Sequence, residues 1–217
     1  MSPATRLRPA ATRAFAVALP FALLLAFAGA CAPQGRSGGA ATGGAGGAPR
    51  PGAGAPDASL FELAFPLTDS EGRTRHLSDL RGRPFVASMI YTNCTSVCPR
   101  LTADLQALEW ALPGSVRGRT RFVLFSLDPE RDTPAALRRF AAEHALDTTR
   151  WTLLAAGPDD MRTLAAVLDV RFRPDGPGEI AHSAVIAVVD SAGVIRHRQA
   201  GLQKDPAPLV AAIEAAR

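Results

Sequence analysis

Two cysteines four residues apart are the residues in this sequence whose type and spacing point most directly to chemistry. Cys94 and Cys98 lie in the stretch Tyr-Thr-Asn-Cys-Thr-Ser-Val-Cys-Pro at residues 91–99, and the 217-residue chain has only three cysteines. Residues four apart in a helical turn lie about 6 Å apart on one face. That separation allows either a disulfide or a metal ion shared by two thiolates.

The spacing alone leaves three uses of this pair open. A structural disulfide would close a loop so small that it constrains the unfolded chain little. A redox-active pair is more often spaced Cys-x-x-Cys. Between a strand end and a helix start, thiolates are stabilised by the helix dipole. The pattern therefore favours a metal site or an unusual redox site over a structural disulfide.

Histidine is the expected third ligand, since soft thiolates with one imidazole suit copper. Three of the four histidines are expected in surface roles: His76 in an opening hairpin, His144 near a helix C-terminus and His197 between two arginines. His182 differs, because it stands at the head of an apolar strand after the Gly-Pro-Gly loop at residues 176–178. From its position alone, His182 is either a structural residue or a metal ligand.

The elements that must position these residues follow from the apolar pattern. Continuous apolar runs predict buried strands, and leucines spaced four, three and four residues apart beyond Pro99 predict an amphipathic helix. The predicted elements are a hairpin over residues 61–77, strands 84–91, 121–127 and 151–155, helices from 99, over 134–146 and 158–170, a hairpin over 183–198 and a helix from 206. Strands that alternate with helices predict a three-layer α/β domain with its site at the carboxyl ends of the parallel strands.

The first 30 residues have the pattern of an export signal. Arg6, Arg8 and Arg13 precede an apolar run over residues 14–30, with no acidic residue among them. The run ends in Ala-Gly-Ala before Cys31, which resembles the lipobox of bacterial lipoproteins, although leucine is usual where Ala28 stands. We therefore expect a lipidated Cys31 and an extracytoplasmic domain anchored to the membrane. The alternatives are an ordinary cleaved signal or an uncleaved anchor helix of about 17 residues, interrupted by Pro20; all three carry the domain across a membrane.

Residues 31–56 contain nine glycines and four prolines, and are predicted to form a disordered tether. The remaining residues, 57–217, suit one compact domain. Removing the signal takes away three arginines and no acids, so 21 of the 24 basic residues remain beside 20 acidic ones. This balance, without a clustered basic run, gives no support for nucleic-acid binding.

Three separated motifs resemble the Sco/SenC family of thioredoxin-like copper proteins. They are the cysteine stretch at residues 91–99, Ser-Leu-Asp-Pro-Glu-Arg-Asp-Thr-Pro at 126–134, and Ala-His-Ser-Ala-Val-Ile at 181–186, followed by Asp-Ser-Ala-Gly at 190–193. The match spans nearly all of residues 58–217. The resemblance implies a thioredoxin-like domain with an N-terminal hairpin extension, in which Cys94, Cys98 and His182 bind one copper ion, Cu(I) or Cu(II). Asp128 would lie near the site, or would only hold the loop before the next helix.

The resemblance also implies a role in assembling the binuclear copper centre of cytochrome c oxidase. The predicted protein is a copper chaperone whose partners are the copper-accepting oxidase subunit and another copper chaperone. The alternative is a thiol-disulfide oxidoreductase in which Cys94 attacks and Cys98 resolves the mixed disulfide. A peroxiredoxin-like peroxidase ranks lower. That class usually has a threonine three residues before its attacking cysteine, whereas Thr92 stands two residues before Cys94. A copper sensor or a structural module ranks lower as well.

Overall fold

A seven-stranded mixed sheet occupies the centre of the computed structural model, which describes residues 58–216. Its order is β2-β1-β5-β4-β3-β8-β9, and β6 and β7 pair separately. The strands are β1 (Leu67–Asp69), β2 (Thr74–Arg75), β3 (Phe85–Ile90), β4 (Arg121–Ser126), β5 (Trp151–Ala156), β6 (Phe172–Pro174), β7 (Ile180–His182), β8 (Val185–Val189) and β9 (Ile195–Ala200). The α-helices are α1 (Val97–Ala111), α2 (Gly114–Arg119), α3 (Pro134–Glu143), α4 (Pro158–Leu168) and α5 (Ala207–Ala215).

The three parallel strands form the buried middle of this sheet. β3 and β4 run in register from Phe85 opposite Arg121 to Ile90 opposite Ser126, and β5 continues the parallel set. Every residue of β3 and β8 is buried, because these runs are almost entirely apolar and helices cover the sheet. The carboxyl ends of β3 and β4 are therefore level, and the loops that follow them are neighbours.

Helices α1, α3, α4 and α5 are those that the sequence predicts, although α3 ends at Glu143 and α4 at Leu168, earlier than predicted, and α2 was not predicted. The leucine stripe of α1 is buried, and Pro99 lies in its first turn. Thr133 caps α3 by accepting a hydrogen bond from the Ala136 amide, and Pro134 is the first helical residue. Helix α1 contacts α5, which packs on β8 and β9, while α3 and α4 pack on β5. The result is the predicted three-layer arrangement.

The structure corrects two local predictions. The opening hairpin is only β1 and β2, because residues Leu60–Glu62 and Leu77–Leu80 form 3₁₀ turns instead of strand. His182 is not at the head of the long apolar strand; it is the last residue of β7, and residues 183 and 184 separate it from β8. No helix within residues 58–216 is both long and apolar enough to cross a membrane. The predicted signal, Cys31 and the predicted tether lie outside the described residues.

Candidate metal centre

Cys94 and Cys98 occupy the link between β3 and α1. A turn follows β3, in which the Cys94 amide donates to the Tyr91 carbonyl at 3.2 Å. Cys98 is the second residue of α1, and its amide donates to the Cys94 sulfur at 3.3 Å. The loop therefore folds the Cys94 Sγ over the free amides of the helix N-terminus, where a thiolate is favoured.

His182 reaches the same place through the sheet topology. β8 runs antiparallel to β3, so the start of β8 lies beside the carboxyl end of β3. His182, three residues before β8, brings its Nε2 to 3.5 Å from the Cys98 Sγ. One ligand atom from each of Cys94, Cys98 and His182 lies within 4.8 Å of the others. The structure thus brings together three residues that the sequence places up to 88 positions apart.

The donor atoms fit a small soft cation. Two ligands at about 2.2 Å from one ion can lie up to about 4.4 Å apart, so a slight contraction would close this group on a metal. The His182 Nδ1 lies 3.2 Å from the Ser183 carbonyl, which can only accept a hydrogen bond. Nδ1 therefore carries the proton, and the Nε2 lone pair is left for the cysteine side of the site.

The two thiols have opposite electrostatic environments. The pKa of Cys94 is held well below its usual value, because the Cys98 thiol donates to it, assisted by the amides of Cys98 and Ser96. The pKa of Cys98 is raised, because a thiolate there would face the Cys94 thiolate and is also buried. The metal-free site therefore holds one thiolate and one thiol, and binding through both sulfurs releases a proton.

Tyr91 ties the histidine strand to β3, a contact that sequence reasoning missed. Its hydroxyl donates to Glu179 Oε2 at 2.9 Å and accepts from the Ile180 amide at 3.3 Å. Its ring meets the His182 ring edge-on, with centroids 6.0 Å apart. Burial, with Cys94 and Glu179 nearby, raises the pKa of Tyr91, so the hydroxyl stays a donor. The signal in the sequence was an aromatic residue at the end of the strand that precedes the cysteines.

Asp132, rather than Asp128, holds the cysteine loop. Asp132 is 1% exposed and accepts hydrogen bonds from the Thr92 amide at 3.0 Å, the Thr92 hydroxyl at 2.6 Å and the Ser126 hydroxyl at 2.6 Å. Asp128 instead pairs with Arg131 at 2.5 Å, within its own loop. Both belong to the motif at residues 126–134, but the sequence does not show which of the two carboxylates bonds to the cysteine loop. The role predicted for Asp128 stays a prediction.

Solvent reaches the site from the histidine side. Cys98 is fully buried and Cys94 is 7% exposed, whereas His182 is partly exposed. A cleft of about 270 Å³ is lined by His182 and Ala181 together with Arg171, Phe172 and Arg173 of the β6 region. A ligand from another protein would therefore approach past His182, across a rim that carries two arginines.

Comparison with known proteins identifies the group to which this chain belongs. Residues 53–216 match the sequence profile of SCO1/SenC. The chain belongs to the SCO1/SenC family. A related SCO1/SenC protein is the SCO1 protein homolog of Bacillus subtilis (strain 168), 26% identical over 148 residues that cover 65% of this chain and 75% of the relative.

Solved structures of SCO1/SenC proteins share the fold. A SCO1/SenC family lipoprotein from Bacillus anthracis str. Ames superposes with a TM-score of 0.64 at 24% identity, covering 70% of this chain and 92% of that one. ScoI of Bradyrhizobium japonicum, whose structure has copper bound, gives a TM-score of 0.58 at 24% identity, covering 70% and 97%. The predicted family and the predicted thioredoxin-like α/β fold are both confirmed.

Proposed function

We propose that this SCO1/SenC protein binds one copper ion through the sulfurs of Cys94 and Cys98 and the Nε2 of His182. The observation that carries the proposal is the convergence of these three donor atoms within 4.8 Å. Two thiolates and an imidazole are a donor set that suits copper. ScoI of Bradyrhizobium japonicum, whose fold this chain shares, has copper bound in its structure, which supports copper as the ion.

We propose further that the bound copper is cargo, delivered to the copper-accepting subunit of cytochrome c oxidase. Three protein ligands leave a coordination position for a ligand from an acceptor. His182 borders an open cleft while Cys98 is buried, so an acceptor ligand can enter on the histidine side before the sulfurs release the ion. In this proposal, the partly exposed edge of the site is what makes transfer by ligand exchange possible.

Anchoring through Cys31 is part of the proposal. The arginine-rich start, the apolar run and the small residues before Cys31 support export and lipidation. The family relative from Bacillus anthracis is itself called a lipoprotein. The expected result is that Cys31→Ser moves the protein from the membrane to the soluble fraction. Unchanged membrane retention would mean that the apolar run itself is the anchor.

An anaerobic Cu(I) competition titration of the reduced protein tests the copper site. One tightly bound copper per chain is expected, and Cys94→Ser and Cys98→Ser should each abolish tight binding. Cys31→Ser is the matched control, because it removes the third cysteine and should leave the stoichiometry unchanged. Weak binding, or binding that survives either site variant, would refute the assignment.

Delivery is tested separately by mixing the copper-loaded protein with the isolated copper-accepting domain of the oxidase. Transfer should be faster than release into a chelator of equal affinity, because ligand exchange within a complex avoids free copper. If transfer to the oxidase domain is no faster than release into the chelator, delivery is refuted, and the protein would be a copper sensor or a copper store.

A thiol-disulfide oxidoreductase is the second candidate, favoured by the thiolate character of Cys94 and by its greater exposure than Cys98. The Cys94 thiolate would attack an acceptor disulfide, and Cys98 would then displace the acceptor thiol and close the Cys94–Cys98 disulfide. The acceptor gains two electrons, and an external dithiol must reduce this protein again. No exchange with a peptide disulfide, or a reduction potential far below that of the compartment, would exclude this activity.

A further inference from the structure

The end of the domain farthest from the metal centre is rich in arginine. Arg81 and Arg83 precede β3, Arg117 and Arg119 lie in the last turn of α2, and Arg121 opens β4. All five therefore lie at or near the amino ends of the parallel strands, whereas the cysteines follow the carboxyl end of β3. A six-residue strand spans about 20 Å, which separates the two ends. We call these five residues the arginine pole.

None of these five arginines forms an ion pair within residues 58–216. Arg81 lies over the Phe61 ring, and Arg117 over the Trp110 ring. Arg119 and Arg121 donate only to backbone carbonyls. Exposed carboxylates at this end include Asp79, Asp147 and Glu214, and Asp147 already pairs with Arg150. The arginine pole therefore carries excess positive charge.

The pole also carries the most exposed large hydrophobic side chain of the described residues. Trp110 is 71% exposed and lies in the last turn of α1. The preceding residue, Glu109, accepts hydrogen bonds from Arg150 and from the Trp151 indole, at the amino end of β5. Trp110 therefore projects from the same end of the domain, with the Arg117 guanidinium 4.9 Å from its ring centroid.

The N-terminal part of the chain joins the domain at this end. The Ser59 hydroxyl donates to the Ala192 carbonyl, and the Leu60 amide to the Gly193 carbonyl, in the turn after β8. That turn lies beside the start of β3, since the Gly82 amide donates to the Ser191 carbonyl. The chain that leads back to Cys31 thus starts from the arginine pole.

We propose that the arginine pole and Trp110 dock the domain onto an anionic phospholipid surface. Guanidinium groups pair bidentately with phosphates, and tryptophan favours the headgroup level of a bilayer. A cleft of about 310 Å³ offers a seat for a headgroup, because four arginines (Arg75, Arg81, Arg83 and Arg121) and only one carboxylate, Asp79, are among its lining residues. The inference rests on the proposed anchoring through Cys31, which keeps the domain beside a membrane. Docking in this orientation turns Cys94, Cys98 and His182 away from the bilayer, toward an acceptor that projects from it.

The test uses the full-length protein reconstituted into vesicles of brominated phosphatidylcholine, with or without phosphatidylglycerol. Bromine quenches tryptophan at close range, and Trp151 is buried, so docking reports through Trp110. Quenching is expected only with phosphatidylglycerol, should weaken at high salt and should vanish in Trp110→Phe. Arg83→Gln and Arg119→Gln should each lower the docked-to-free ratio about fivefold. Arg162→Gln is the matched control, since α4 begins after the carboxyl end of β5.

Vesicle flotation reports the anchor independently of docking. If the protein floats with neutral vesicles but Trp110 is not quenched with anionic ones, the docking proposal fails while the anchor stands. If it floats only with anionic vesicles and is quenched there, docking stands and the anchor fails. Quenching that is equal in both lipids, or unchanged in both pole variants, overturns docking. Binding of an acidic protein by the pole without quenching would assign this surface to a protein partner instead.

Discussion

His182 is the residue at which the two oxidation states of copper should behave differently. His182→Ala is expected to weaken Cu(II) binding strongly and Cu(I) binding less, because two thiolates can hold Cu(I) without the imidazole. Competition titrations in each oxidation state measure this difference. His76→Ala is the control, since His76 contributes no donor to the group of Cys94, Cys98 and His182. Equal losses in both oxidation states, or in neither, would contradict the ligand role.

The structural roles of Asp132 and Asp128 can be separated by mutation. Asp132→Ala would leave the Thr92 amide and the buried Ser126 hydroxyl without their acceptor, so we expect a loss of about 2 kcal/mol in the free energy of unfolding and weaker copper binding. Asp128→Ala removes a pair with the half-exposed Arg131 and should cost less than about 1 kcal/mol. Urea unfolding of each variant measures the two losses. Equal losses would mean that Asp132 does not hold the cysteine loop.

At the scale of elements, two hairpin turns repeat one arrangement. The sequences Asp-Ser-Glu-Gly-Arg-Thr-Arg at residues 69–75 and Asp-Ser-Ala-Gly-Val-Ile-Arg at 190–196 share their aspartate, glycine and last arginine. Each aspartate accepts the amides two and four residues on and pairs with the arginine six residues on. Each glycine has a positive φ, +76° and +87°. These turns were predictable because every determinant lies within seven residues.

The Asp69 turn gives an acid-dependent contribution to stability. Burial opposes ionisation, but the hydrogen bonds from Arg73, Arg75 and Glu71 outweigh it and hold the pKa of Asp69 at about 2, below its ordinary 3.8. A lowered folded pKa gives stability that is present above pH 4 and is lost as the pH falls toward 2. Between pH 6 and pH 3 the loss should be about 1 kcal/mol. Urea unfolding of Asp69→Asn should show this pH dependence reduced.

Glu71→Gln is the control in the same turn, because it also removes one negative charge. The Glu71 side chain makes no hydrogen bond or ion pair within residues 58–216, and it is exposed. The free energy of unfolding of Glu71→Gln should depend on pH in the same way as that of the unmodified protein. If both variants flatten the curve equally, general charge rather than the Asp69 contacts sets the acid sensitivity.

Strand β7 and the Asp132 contact escaped prediction because distant contacts fix them. β7 has only three residues, and its partner β6 carries Pro174, so the sequence contains no periodic pattern that would predict β7. His182 is held in place by the pairing of β7 with β6 and by the Tyr91 hydroxyl, which accepts a hydrogen bond from the Ile180 amide, 89 residues away in sequence. His182 was therefore named through family resemblance, whereas strand β3, helix α1 and the cysteine position followed from local pattern. Asp132 escaped for the same reason, since its partner Thr92 is 40 residues away.

At the scale of the molecule, the domain has two chemically different ends. One collects two cysteines and a histidine from the β3–α1 link and β7, and the other collects arginines from three separate segments. Arg81 and Arg83 join Arg117, Arg119 and Arg121 at one end of the domain only because β3 and β4 pair in parallel. Without residues 1–30 the chain carries 21 basic and 20 acidic residues, so the distribution of charge rather than its sum would decide what the domain binds.

Copper should stabilise the whole fold only when it joins the two distant segments that supply its ligands. Unfolded chain still contains Cys94 and Cys98 four residues apart and can hold Cu(I) there, which reduces the stabilisation that Cu(I) provides. In the folded protein His182, 84 residues from Cys98, adds a ligand that the unfolded chain does not position. At free Cu(I) about 100-fold above its dissociation constant, Tm would rise by about 5 to 10 °C if only the folded chain bound copper, and binding by the unfolded chain lowers this rise.

His182→Ala separates this gain in stability from copper binding itself. The variant should still bind Cu(I) through its two sulfurs, yet its Tm should rise much less, because folded and unfolded chains then offer the same two ligands. Thermal unfolding with and without a Cu(I) chelator measures the difference, and chelation should return the unmodified protein to its copper-free Tm. An equal rise in both proteins would mean that copper is held by the cysteine loop alone, and that His182 lies beside the ion without binding it.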